Sequence, residues 1–123
     1  MKILIADDEL RLRKVVALHL KKAGFNVLEA GNGRQALDIA REQRPNLIVL
    51  DVMMPEMTGL EACAAIKSDA ELGSTPVILL TAMAEAEDIE KGSSVGADFY
   101  LTKPFSPKEL IDKINSNFKS QEQ

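Results

Sequence analysis

The sequence predicts an α/β domain built on a parallel sheet of five strands, with helices covering both faces. Three observations carry this. Short apolar runs alternate strictly with longer amphipathic stretches along all 123 residues. The runs Leu47-Ile48-Val49-Leu50 and Val77-Ile78-Leu79-Leu80 are apolar at every position, the pattern of strands buried on both sides. No linker, repeat or low-complexity tract breaks the alternation, so residues 1–123 read as one domain of ordinary size.

Each element has its own signal. The first strand is expected at 2–6 and ends in Asp7-Asp8-Glu9. A helix near 10–23 follows, stopped by Gly24. The second strand, 26–30, leads into a helix near 33–43. Asn32 with Gln35 reads as a capping box at its start and Pro45 as its stop. The third strand, 47–50, precedes a helix near 59–68 that opens with a second capping box, Thr58 with Glu61. The fourth strand, 76–80, leads to the weakest helical stretch, 85–95. That stretch holds Gly92, Ser93 and Ser94, with Ile89 and Val95 as its only large apolar residues. An interior glycine costs about 1 kcal/mol relative to alanine, so a marginal helix is expected there. The fifth strand, 98–101, is followed by a helix near 107–119 with Pro107 in its first turn. Leu110, Ile111, Ile114 and Phe118 recur on one face of it at helical spacing.

Composition narrows the function classes. The hydrophobic share is 46% and the charged share 28%, ordinary for a globular protein. A formal net charge of -4 argues against binding nucleic acid through the chain's own surface, which needs an excess of Lys and Arg. One cysteine, Cys63, cannot form an internal disulfide and fits a reducing, cytoplasmic setting. No apolar segment approaches the roughly 18 to 20 residues that span a bilayer. Asp7-Asp8-Glu9 interrupts the first apolar run too early for a signal peptide.

In an open parallel sheet, ligands bind beyond the carboxyl ends of the strands. Those ends carry Asp7 and Asp8, Asp51, Thr81, and Thr102 followed by Lys103-Pro104. Three carboxylates, a hydroxyl and an ammonium thus share one rim. Carboxylates that close disfavour each other's ionisation unless a cation intervenes. A hard divalent ion such as Mg²⁺ suits an all-oxygen site and is typically held by one or two carboxylates plus a phosphate. Lys103 is placed to pair with Asp51 or with an incoming phosphate, and Thr81 to donate a hydrogen bond to a phosphate oxygen. Singly, each residue has a plainer role. Asp7 or Asp8 would cap the first helix, Thr81 would cap the fourth, Lys103 would be a solvated surface lysine, and Asp51 would begin a turn. Their convergence on one edge favours a shared site.

These residues and their spacing resemble the response regulator receiver domain of two-component signalling, over almost the whole chain. The resemblance rests on four segments in order: Asp7-Asp8-Glu9; Leu47-Ile48-Val49-Leu50-Asp51-Val52-Met53-Met54-Pro55 with Gly59; Pro76-Val77-Ile78-Leu79-Leu80-Thr81-Ala82; and Gly96-Ala97-Asp98-Phe99-Tyr100-Leu101-Thr102-Lys103-Pro104-Phe105. It implies a flavodoxin-like, doubly wound three-layer sandwich with strand order 2-1-3-4-5. It also implies that Asp51 accepts a phosphoryl group from a histidine kinase or phosphotransfer protein. Asp8 and Asp51 would bind Mg²⁺ through their side chains, Asp7 partly through water, and Met53 through its backbone carbonyl. Lys103 and Thr81 would contact the phosphoryl oxygens, and Pro104 would follow a cis peptide bond. Thr81 and Tyr100 would form a switch that alters the surface of the fourth helix, fifth strand and fifth helix. Through that surface the chain would control an output protein, an output domain or a second copy of itself. No position needed for phosphorylation departs from the family pattern.

Two rival functions share parts of this signature. A haloacid-dehalogenase-type phosphatase also uses an Asp after a strand, but needs a second Asp two positions later, where Met53 stands. A flavin-binding module needs a phosphate-cradling first loop, and Asp7-Asp8-Glu9 would repel phosphate. Met53 and Met83 lie two places after Asp51 and Thr81, where apolar side chains are expected to slow loss of the phosphoryl group. His19 is expected at a helix surface or boundary, and Cys63 in or beside the core. The cognate kinase and the output cannot be read from these residues.

Overall fold

Leu47–Asp51 and Val77–Thr81 are buried at every residue, and they are the two strands with neighbours on both sides together with Lys2–Ala6. The computed structural model describes residues 1–81 and 96–117. In chain order these are β1 (Lys2–Ala6), α1 (Leu10–Lys22), β2 (Asn26–Ala30), α2 (Gly33–Gln43), β3 (Leu47–Asp51), α3 (Gly59–Ser68), β4 (Val77–Thr81), β5 (Phe99–Thr102) and a last helix, Pro107–Asn117. The strands form one sheet in the order β2-β1-β3-β4-β5, and every neighbouring pair is parallel. This is the flavodoxin-like, doubly wound arrangement, and its order reverses between β1 and β3.

The two-residue period of the strands divides the core into two layers. Ile3, Ile5, Leu47, Val49, Ile78 and Leu80 pack with Val16 and Leu20 of α1 and with Leu110 and Ile114 of the last helix. Leu4, Ala6, Ile48, Leu50, Val77 and Leu79 pack with Ala36, Leu37 and Ala40 of α2 and with Ala62, Cys63 and Ile66 of α3. Truncating a leucine in either layer would cost about 2–5 kcal/mol.

The helix boundaries follow the expected signals, with differences in detail. Thr58 and Glu61 form a full capping box at α3, each side chain bonding the other's backbone N–H, a device worth about 1 kcal/mol. The expected box at α2 is displaced. Asn32 accepts from the Gln35 N–H, but the Gln35 side chain accepts from the N–H of Gly31 rather than that of Asn32. Arg44, just before Pro45, ends α2 in the left-handed conformation (φ 47°).

Three strands reach one residue further than expected. Asp51 pairs in register with Leu80, and Thr81 with Thr102, so ladder pairing carries β3, β4 and β5 up to the site. The stretch 85–95, Met83 and Phe118 lie outside the described residues.

Candidate functional site

Strand parity brings the site together. Asp7, Asp51 and Lys103 continue the odd-numbered face of β1, β3 and β5, the face toward α1 and the last helix. Asp51 is 4% exposed and Asp7 is as fully buried. Asp8 is exposed. One carboxylate oxygen from each of Asp7, Asp8 and Asp51 lies within 4.8 Å of the others.

Local hydrogen bonds aim these groups. Lys103 Nζ donates to Asp51 Oδ2 at 2.6 Å and to Asp7 Oδ2 at 3.4 Å. The Met53 N–H donates to Asp51 Oδ1 at 3.1 Å, and the Glu9 N–H to Asp7 Oδ1 at 2.9 Å. Asp7 and Asp51 are therefore held at both oxygens, while Asp8 faces solvent. The N-cap of α1 is Glu9, without a side-chain capping bond, so neither Asp7 nor Asp8 takes the plainer role of capping that helix. Nor is Lys103 a solvated surface lysine.

Around this centre, Thr81 closes β4 and is buried. The Lys103 N–H donates to its carbonyl oxygen at 2.7 Å, tying the segment after β5 to the end of β4. The Lys103–Pro104 peptide bond is cis. Tyr100 pairs in register with Leu79, so it shares a sheet face with Thr81, and it packs half-buried on the α2–α3 side of the core. Met53 is 72% exposed beside Asp51. An open groove of about 420 Å³, lined by Glu9, Leu12, Lys103, Pro104 and Phe105, runs alongside.

The family model described as "Response regulator receiver domain" matches residues 3–115. The chain belongs to the response regulator receiver family. Among curated relatives, the "Probable transcriptional regulator ycf27" of Porphyridium aerugineum is 41% identical over 115 residues, 94% of this chain and 47% of that protein. The "Phosphate regulon transcriptional regulatory protein PhoB" of Pseudomonas aeruginosa is 42% identical over 114 residues, 93% of this chain and 50% of that protein. The chain thus spans about half the length of the curated relatives it matches. Among solved structures, the chemotaxis response regulator CheY4 of Vibrio cholerae superposes with a TM-score of 0.89 at 36% identity, covering 94% of this chain and 96% of that one.

The electrostatics of this receiver domain follow from its burial. Loss of hydration pushes the Asp51 carboxyl above its ordinary value. Its bond to Lys103 opposes the rise and the Asp7 charge adds to it. For Lys103, burial works to lower the ammonium, but the hydrogen bond to Asp51 and the charges of Asp51 and Asp7 outweigh it and hold the group above its usual value. Three carboxylates against one ammonium leave an excess of negative charge in a confined space. An all-oxygen donor set with that excess fits a hard divalent cation.

His19 is exposed on α1 and Cys63 is buried in α3, its thiol pushed up to about 11 by burial. Among the described residues, no helix is long and apolar enough to cross a membrane. Sequence reasoning passes over Arg13 and Glu29, because charges on a helix and an edge strand read as solvated surface. The structure sets Arg13 against the Asp7 carbonyl and Glu29 against Arg13.

Proposed function

We propose that this receiver domain is a phosphorylation-dependent switch in which Asp51 accepts a phosphoryl group from a histidine kinase or phosphotransfer protein. The observation that carries the reading is the buried Asp51 carboxylate, 2.6 Å from Lys103 Nζ and within 4.8 Å of the Asp7 and Asp8 oxygens. In the transfer, an Asp51 oxygen attacks phosphorus, the bond from phosphorus to the donor's imidazole nitrogen breaks, and the imidazole leaves with the bonding pair. Phosphoryl transfer depends mainly on positioning and on stabilising charge. Asp7, Asp8 and Asp51 would hold Mg²⁺, with the Met53 carbonyl as a further ligand. When bound, Mg²⁺ would offset the charge of the carboxylates and of the incoming phosphoryl oxygens.

The chain's own residues do the rest. Lys103 exchanges its bond to Asp51 for one to a phosphoryl oxygen, and Thr81 donates its hydroxyl to another. The resulting acyl phosphate is open to attack by water, so the signal is transient. Movement of Thr81 toward the phosphoryl group would let Tyr100, on the same sheet face, turn inward. That would change the surface of β5, the last helix and the segment at 85–95, which lies outside the described residues. Through it the domain would act on an output protein, a further domain or a second copy. Transcription is the output favoured by the names of the relatives. In this reading the domain turns over nothing beyond its own phosphoryl group and works in the cytoplasm, where the lone buried Cys63 stays reduced.

Intact-mass measurement after incubation with acetyl phosphate and Mg²⁺ tests the proposal. One phosphoryl group should appear on the wild type and none on Asp51→Ala. An addition that survives Asp51→Ala would overturn it.

A further inference from the structure

Arg13 lies on the first turns of α1, and its backbone N–H donates to the Glu9 carbonyl at 3.0 Å. Its guanidinium does not reach into solvent. Nη1 donates to the backbone carbonyl of Asp7 at 2.9 Å, and Nε donates to Glu29 Oε1 at 3.1 Å. The two side chains are only 15% and 18% exposed. Glu29 is itself fixed. It stands on β2 in register with Ile5 of β1, and its other oxygen accepts from Lys14 Nζ at 3.1 Å. Burial works to raise the Glu29 carboxyl, but Lys14 and Arg13 outweigh it and hold the group below its ordinary value, so it stays ionised.

The Asp7 carbonyl is a consequential place for this bond. The Asp7 N–H is already tied to the Ala30 carbonyl at 3.1 Å, and its side chain to Glu9 and Lys103. The peptide that begins with the Asp7 carbonyl ends at the Asp8 N–H and Cα, so holding its plane constrains where the Asp8 side chain starts from. Asp8 is the exposed carboxylate of the cluster, and among the described residues no hydrogen bond holds its oxygens. An arginine fork planted on that peptide from an ionised, half-buried anchor is rigid where a lysine would not be.

We propose that Arg13, braced by Glu29, is a positioning residue for the cation site: it fixes the Asp7–Asp8 peptide and so the spacing of the Asp8 oxygens from those of Asp7 and Asp51. The proposal rests on the reading that these carboxylates bind Mg²⁺. Residues that orient metal ligands from behind typically change metal affinity 10- to 100-fold when lost. Charge alone acts in the opposite direction. Removing a nearby cation makes the site more negative and should tighten Mg²⁺ binding. The sign of the change therefore separates positioning from simple electrostatics.

The test is a Mg²⁺ titration of the whole chain, followed by backbone amide NMR shifts, on the wild type and on Arg13→Gln, Arg13→Lys, Glu29→Gln and Lys14→Ala. Thermal stability is measured alongside. Arg13→Gln should bind Mg²⁺ about 10-fold more weakly or worse. Glu29→Gln should lose affinity in the same direction because it frees the guanidinium, but it also removes an anion, so the sign test rests on the Arg13 variants. Arg13→Lys keeps the charge but not the fork and should also weaken binding, which covers the case of Arg13→Gln failing to fold. Lys14→Ala, which touches Glu29 but not Asp7, should stay within about 2-fold of the wild type. Unchanged or tighter binding by the Arg13 variants, with only a lower melting temperature, would make the pair merely structural and overturn the proposal. A wild type that binds no Mg²⁺ would overturn the underlying metal reading as well, a result distinct from either of these.

Discussion

Lys103 Nζ sits 2.6 Å from Asp51 Oδ2, although 52 positions separate the two in sequence. The contact exists because β3, β4 and β5 are consecutive in the sheet and end at the same rim. An ammonium that is only partly exposed, at 22%, closes over a buried carboxylate. The carboxylate nonetheless remains harder to ionise than in water.

That balance has a consequence for stability against pH. The folded protein holds the Asp51 proton more tightly than the unfolded chain does. Asp51 therefore contributes stability that is fully present below its unfolded value, about 3.9, and is lost as pH rises through its higher folded value. Without divalent ions, Asp51→Asn should be more stable than the wild type at neutral pH. The difference should fade in acid below about pH 4. Denaturant melts at a series of pH values would show it, and a variant less stable than the wild type at pH 7 would contradict it.

Mg²⁺ should relieve the same strain in the wild type. At a concentration 100 times its dissociation constant, a ligand specific for the folded state adds about 2.7 kcal/mol. Asp8→Asn should lose most of that increment. In metal-free buffer it should be no less stable than the wild type, since it removes one of three like charges within 4.8 Å. Melting curves with and without Mg²⁺ compare the two increments directly.

Two glycines should respond differently to alanine. A Cβ on Gly59 would fall 2.1 Å from the Asp51 carbonyl oxygen, a backbone atom with nowhere to go. Gly59→Ala should cost about 3 kcal/mol and impair phosphorylation, because Asp51 must shift. Gly24 has φ +100° and open space around it. Gly24→Ala should cost about 1–2 kcal/mol through backbone conformation alone and leave phosphorylation unchanged. Chemical denaturation paired with acetyl-phosphate labelling separates the two cases.

Met53 presents an exposed thioether beside Asp51, with its N–H bonded to the Asp51 carboxylate. An amide there would hold water near the acyl phosphate, and the thioether does not. Met53→Asn should lose its phosphoryl group several-fold faster than the wild type, roughly the effect of one added hydrogen bond on a rate. A phosphate-release assay on the phosphorylated proteins reads the ratio, and equal or slower loss from the variant would end the argument.

The sequence by itself determined the fold class and the membership of the rim. Apolar runs of strand length in strict alternation with amphipathic helical stretches point to a covered parallel sheet, and an acid directly after such a strand emerges at its carboxyl end. Asp7, Asp8, Asp51, Thr81 and Lys103 were therefore legible as neighbours before any distance was known. The Thr58–Glu61 box was legible too, because its partners lie three residues apart. Tertiary structure alone decided which atoms meet. Which Asp51 oxygen Lys103 takes, the division of the Asp7 oxygens between Glu9 and Lys103, and the path of Arg13 to the Asp7 carbonyl depend on ladder register and on the packing of α1 against β2. Lys103 comes to Asp51 and Asp7 from 52 and 96 positions away, and the Glu29 that braces Arg13 lies 16 positions from it; local pattern carries no information about contacts made only when separate elements dock.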